Sequence, residues 1–215
     1  MMSDGAKSTV AAAGKTMSPI TFYFDFTSPY AYLGACRIDD LARLYDRDVD
    51  WRPMLLGVIF RQTSTAPLFE QPLKGDYAMQ DLHRCARALG VPINLPDPMP
   101  FSSVPAARAF LWMKDRDDAL ARRVGRAYFD AAFGAGRDIS SPETVVEIAA
   151  EHGVDGPALL SALGEDEIKA RLRTEVEAAI SAGVFGAPFF VVDGEPFWGA
   201  DRMDHLERWL ASGGW

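Results

Sequence analysis

From residue 20 the chain alternates Ile20, Phe22, Phe24 and Phe26 with Thr21, Tyr23 and Asp25. This period of two, in aromatic and β-branched residues, predicts a strand buried on at least one face. The strand stops at Asp25, and Ser28-Pro29 then stand where an N-cap and a first helical residue belong. Gly34, Ile38, Leu41 and Tyr45 recur at helical spacing, widened by Ala31, Ala35 and Ala42, and predict a single helix over 29–46. Residues 49–54 predict a second strand, giving a strand–helix–strand unit that normally closes as a parallel crossover. Residues 55–72 contain Gly57, Pro67 and Pro72 and no sustained period, so a long irregular connection is expected there.

Helical periodicity dominates the next hundred residues. Helices are expected over 76–89, 105–114, 117–133, 142–151, 156–163 and 165–182, with stop and start signals at Gly90, Ser141-Pro142 and Gly183. The last of them carries a core stripe of Ile168, Leu172, Val176 and Ile180. Residues 189–192 and 195–198 are two short strands joined by Asp193-Gly194, a strong hairpin signal that makes them antiparallel neighbours. A final amphipathic helix, with Met203, Leu206 and Leu210 inward, is expected to be capped by Asp201.

Composition narrows the class. The 215 residues carry a net charge of −8, which argues against a nucleic-acid partner. No run of about 18 apolar residues is present, so a membrane protein is not expected. Two widely separated cysteines, Cys36 and Cys85, suggest neither a disulfide framework nor a metal site, and point to a reducing, cytoplasmic compartment. His83, His152 and His205 have no ligand spacing. Residues 1–18 are small and polar without the apolar core of a secretory signal, and a disordered tail is expected.

The chemical interest lies at Ser28. A helix beginning there aims unpaired N–H groups and about half a positive charge at whatever lies in front of it, which favours an anion. Taken alone, Ser28 is read first as a plain helix cap.

Two stretches carry a family resemblance. Phe22-Tyr23-Phe24-Asp25-Phe26-Thr27-Ser28-Pro29-Tyr30-Ala31-Tyr32-Leu33 resembles the amino-terminal signature of 2-hydroxychromene-2-carboxylate isomerases and kappa-class glutathione transferases, relatives of the bacterial disulfide oxidoreductases. Residues 183–202, with Phe-Gly-Ala-Pro and Trp-Gly-Ala-Asp-Arg, are similar to the carboxy-terminal signature of the same family. The resemblance implies an α/β fold: a thioredoxin-like domain (19–56 and 183–215) with an all-helical domain inserted after the second strand (57–182).

It also implies a chemistry. Thioredoxin-type oxidoreductases open this helix on Cys-X-X-Cys, whereas these positions hold Ser28-Pro29-Tyr30-Ala31, so dithiol exchange is not expected. The remaining use of the site is to bind another molecule's thiol, in this family that of glutathione. Ser28 would donate a hydrogen bond to the thiolate, with Pro29 beside it. Pro188 would be cis, and the Ala187 backbone would pair with the cysteinyl part. Asp201, with Arg202, would hold the γ-glutamyl end. Tyr30, Phe60 and Tyr77 are candidate walls for an aromatic substrate, and Arg61 a candidate carboxylate partner. Ala200 and the sequence Phe60-Arg61-Gln62-Thr63-Ser64-Thr65 depart from the family pattern. The former replaces a hydroxyl or amide side chain, and the latter keeps a cation but loses an amide. The expected activity is a glutathione-dependent isomerisation of a 2-hydroxychromene-2-carboxylate-like acid by a homodimer. A kappa-like transferase or peroxidase and a non-catalytic thioredoxin-fold binding module are the alternatives.

Overall fold

A computed structural model describes residues 17–215, so most of the expected tail (1–18) lies outside the described residues. Four strands form one mixed sheet in the order β2-β1-β3-β4. β1 (Ile20–Phe24) runs parallel to β2 (Val49–Pro53) and antiparallel to β3 (Phe189–Val192), which pairs antiparallel with β4 (Glu195–Trp198). The β3–β4 hairpin turns through Asp193 and Gly194, both at positive φ, as its sequence predicts.

β1 is buried on both faces because it is central. Phe22, opposite Trp51 and Phe190 in the register, stacks on Phe190 at 5.1 Å and meets Trp51 edge-on at 4.9 Å. Phe24 and Phe26 extend the aromatic face to Phe110 and Phe129 of the helical region. Offset and edge-to-face pairs of this kind add about 0.5–1.5 kcal/mol each beyond area burial. The same aromatic stripe that makes β1 a strand therefore docks the helices onto the sheet.

Two helices follow β1 where one was expected. α1 (Pro29–Ala35) and α2 (Ile38–Leu44) are separated at Cys36 and Arg37, where Arg37 N–H bonds the Gly34 carbonyl in a tighter turn. The apolar stripe runs unbroken across this bend, so periodicity alone cannot reveal it. The 55–72 connection is likewise more ordered than expected: it holds α3 (Leu56–Thr63), ended by Ser64 in the left-handed region, and a 3₁₀ turn at Leu68–Glu70.

The remaining helices fall close to their predicted places: α4 (Lys74–Leu89), α5 (Val104–Lys114), α6 (Asp118–Phe129), α7 (Pro142–Ala150), α8 (Gly156–Leu163) and α9 (Asp166–Ser181). α6 runs on into a π-helical turn, Asp130–Gly134. On α9, Ile168, Leu172 and Val176 form the expected buried stripe against Ala107 and Leu111 of α5. The last helix, α10 (Met203–Ser212), is not capped by Asp201. Gly199, at φ +103, turns the chain into a 3₁₀ turn over Ala200–Arg202, so the helix starts one residue later than an Asp201 cap would place it and the Asp201 carboxylate pairs with Arg202 at 2.9 Å. The result is the architecture implied by the resemblance: a thioredoxin-like sheet with a helical domain inserted after the second strand.

Candidate active site

The turn between β1 and α1 is built by Asp25. Its carbonyl accepts the Ser28 N–H at 2.9 Å, and its Oδ1 accepts the Thr27 N–H at 3.0 Å. That turn leaves Ser28 extended at φ −99°, ψ 111°, the conformation of an N-cap, with Pro29 at the first helical position. The Ser28 hydroxyl accepts from Ala31 N–H at 3.1 Å, satisfying one of the N–H groups a helix start leaves open. Its own proton is directed to the Ala187 carbonyl oxygen at 3.2 Å. An O–H···O bond is ordinarily about 2.7–2.8 Å, so this one is weak. Ser28 is 6% exposed.

Ala187 is joined to Pro188 by a cis peptide bond, as the resemblance implied. Pro188 is buried and packs on α1: a Cβ added to Gly34 would lie 3.2 Å from the proline ring. The missing side chain of Gly34 therefore lets α1 approach Pro188 closely.

Ser28, Pro29, Tyr30, Phe60, Arg61, Tyr77, Ala187, Asp201 and Arg202 all line one cavity of about 1310 Å³. Pro188 does not reach its wall and supports the site from behind. Cavities for one small ligand usually measure about 300–1,000 Å³, so this one has room for two.

The candidate walls differ in what they offer. The Tyr30 hydroxyl has the Ala78 carbonyl at 3.1 Å and Asp81 Oδ2 at 3.2 Å as competing acceptors for its one proton, and its ring lies parallel to Phe69 with centroids 6.4 Å apart. Tyr30 is thus a fixed wall with its polar end engaged. Phe60 is half-buried, whereas Tyr77 and Arg61 are exposed at the mouth. Arg61 has no ion-pair partner among the described residues.

Sequence reasoning missed several residues of the cavity wall. Phe185 and Trp198, exposed and in edge-to-face contact at 4.9 Å, form an aromatic wall beside Ala187. Both lie within the carboxy-terminal signature, so the motif held the signal. Phe69, Lys74 and Phe101 line other sides and come from segments with no readable period. Asp25 was seen only as the end of a strand.

The protein's own thiols are poor nucleophiles. Burial raises the Cys36 thiol above its ordinary range despite Arg126 nearby, and burial together with the Asp81 carboxylate raises Cys85. Both are free and stay protonated near neutrality. Burial also raises the Asp25 carboxyl, against hydrogen bonds from Ser103, Thr27 and Leu56.

The cavity's polar groups suit a thiol-bearing peptide. The Ala187 N–H has no partner among the described residues, and the Thr27 hydroxyl oxygen beside Ser28 is buried without one. An open N–H next to a weakly engaged hydroxyl gives one peptide acceptor and one thiolate a partner each, and Asp201 supplies an anion for an ammonium group. These groups fit glutathione.

Residues 19–211 match the family of DSBA-like thioredoxin domains. The chain is 30% identical over 193 residues to 2-hydroxychromene-2-carboxylate isomerase of Sphingobium xenophagum, covering 89% of this chain and 97% of that protein. It is 26% identical over 208 residues to glutathione S-transferase kappa 1 of Homo sapiens, covering 89% and 92% respectively. A solved structure of a 2-hydroxychromene-2-carboxylate isomerase superposes with a TM-score of 0.82 at 27% identity, over 89% of this chain and 94% of that one. With a serine at the head of α1, a cis proline facing it and this relationship across nearly the whole chain, the protein belongs to the DsbA-like thioredoxin family, among the 2-hydroxychromene-2-carboxylate isomerases and kappa-class glutathione transferases.

Proposed function

We propose that the protein is a glutathione-dependent isomerase of a 2-hydroxychromene-2-carboxylate-like aromatic acid. The observation that carries this reading is Ser28: a buried hydroxyl at the start of α1, 3.2 Å from the Ala187 carbonyl and standing where a dithiol enzyme has cysteine. When bound, glutathione supplies the nucleophilic thiol that the chain lacks, for reversible addition to the unsaturated acid.

Ser28 holds that sulfur as a thiolate. Its hydroxyl rotates from a neutral carbonyl, a bond of about 0.5–1.5 kcal/mol, to an anion, a bond of about 1.5–3 kcal/mol. At about 1.4 kcal/mol per pKa unit, that gain with the α1 dipole lowers a thiol near 8.5 by about one to two units. Ala187 N–H and Asp201 orient the peptide, and Arg202 holds the Asp201 carboxylate in place. Tyr30, Phe60, Phe185 and Trp198 give the aromatic ring its walls. Arg61 offers its guanidinium to a carboxylate at the mouth. The same reading takes the protein as a cytoplasmic homodimer, a reducing compartment being in keeping with two free cysteines.

A kappa-like transferase would use the same thiolate on another electrophile, and the 26% identity to glutathione S-transferase kappa 1 of Homo sapiens keeps this reading open. Turnover of a hydroxychromene carboxylate and of a halogenated nitroarene, each with and without glutathione, separates the two. Glutathione-dependent turnover of the chromene acid alone is expected. Turnover of the arene alone assigns the transferase, and no glutathione binding at millimolar concentration leaves a binding module.

A further inference from the structure

Asp25 is 2% exposed and lines the same cavity as Ser28, yet the activity above gives it no part. Its carboxylate takes backbone donors from two parts of the chain and neighbours a third. Oδ1 accepts from Thr27 N–H at 3.0 Å and Oδ2 from Leu56 N–H at 2.7 Å, and the Ser103 hydroxyl lies near enough to act on the same carboxylate. Its main-chain carbonyl takes the Ser28 N–H. Leu56 opens α3, whose own N-cap position, Leu55, has no capping side chain. Ser103 is the N-cap residue of α5. The starts of α1, α3 and α5 therefore meet at one carboxylate.

Burying a carboxylate without a cation is costly, and here its partners are uncharged donors. A local Asp or Ser at position 55 would cap α3 without that desolvation. What the remote carboxylate adds is a rigid link between two functional elements. α3 carries Phe60 and Arg61, whereas the Asp25 turn presents Ser28.

We propose that Asp25 is a positioning residue that fixes the Ser28 end of α1 against the Phe60–Arg61 wall of α3, so that substrate and thiol meet in register. This rests on the glutathione-dependent reading. A misplacement of about 1 Å between reacting groups can lower a rate about a hundredfold. Ala187 and Asp201, which hold glutathione, lie on the β3 and β4 side and make no hydrogen bond to Asp25. Loss of Asp25 should thus fall on kcat and spare the KM for glutathione.

The test uses the full chain with Asp25→Asn and Ser103→Ala. Asp25→Asn lowers kcat tenfold or more with the KM for glutathione within twofold. Ser103→Ala, which leaves both backbone donors in place, lowers kcat two- to fivefold with the same KM. Amide hydrogen exchange gives a second arm, independent of turnover. In Asp25→Asn, residues 27–31 and 56–60 lose protection together while β1 and β3 keep theirs. Unchanged kcat in both variants, or a loss carried wholly by the KM for glutathione, overturns the inference. If Asp25→Asn does not fold, Ser103→Ala decides by the same criteria. If the wild type turns over neither electrophile, the functional reading fails, and exchange still judges this inference: a loss of protection confined to 56–60 overturns it.

Discussion

The Ser28 hydroxyl donates to the carbonyl oxygen of Ala187 at 3.2 Å, tying the first turn of α1 to the residue before cis-Pro188 across 159 positions of chain. The bond is long, and the oxygen that donates it also caps α1 through Ala31. One side chain therefore fixes the helix start and keeps its proton available to a better acceptor. A plain cap needs only the second of these bonds.

Binding and activation of the thiol are separable. Asp201 and Arg202 sit on the 3₁₀ turn after β4, whereas Ser28 caps α1. Asp201→Ala is expected to raise the KM and the Kd for glutathione about five- to thirtyfold, equivalent to about 1–2 kcal/mol, while kcat stays within twofold. Titration calorimetry alongside steady-state kinetics checks this. A large fall in kcat at saturating glutathione would place Asp201 in the chemical step.

Gly75 allows the 68–70 turn to pack against α4. A Cβ at this position would lie 2.4 Å from the Phe69 carbonyl oxygen, which is backbone and cannot simply rotate away. Gly75→Ala should displace the turn and pull Phe69 off the Tyr30 ring. Strain of this kind usually costs about 1–3 kcal/mol. Thermal unfolding should show that loss, and the KM for the aromatic substrate should rise more than the KM for glutathione.

Lys114 clamps the helical region to the sheet edge: its ammonium donates to Asp50 and, at 2.6 Å, to the Trp51 carbonyl of β2. Burial of Asp50 acts to raise its carboxyl, but hydrogen bonds from Lys114 and Arg52 outweigh it and hold the group below its ordinary value. A carboxyl with a depressed folded-state pKa binds fewer protons folded than unfolded, so its contribution is present above the ordinary value of 3.8 and is lost as pH falls through the folded one. Lys114→Met is expected to destabilise the protein by about 1–3 kcal/mol at pH 7. Denaturant unfolding from pH 7 to 3 should show the gap from wild type narrowing below about pH 4. A gap independent of pH would mean that Lys114 acts through packing alone.

What the sequence revealed follows from where its signals were local. The β1 alternation, the Ser28-Pro29 start and the Asp193-Gly194 turn each carry their cause within a few residues, and each stands where expected. α3 was missed because the group that caps it, Asp25, lies 31 positions upstream and nothing near Leu55 signals a helix start. The bend between α1 and α2 was hidden by an apolar stripe that serves both. Asp201 looked like a cap by residue type, but the positive φ of Gly199 moved the helix start beyond it. In the site, motif residues came together around Ser28, whereas Phe69, Lys74 and Phe101 reach the cavity only through the packing of the helical region.

The central claim is that Ser28 makes a bound thiol acidic. The direct measurement is the ultraviolet thiolate absorbance of glutathione bound to wild type and to Ser28→Ala, titrated from pH 5 to 10 beside free glutathione. The wild-type complex is predicted to ionise about one to two units below the free thiol, and Ser28→Ala to lose that shift together with most of the turnover. Identical titrations in the two proteins, with turnover preserved, would contradict it.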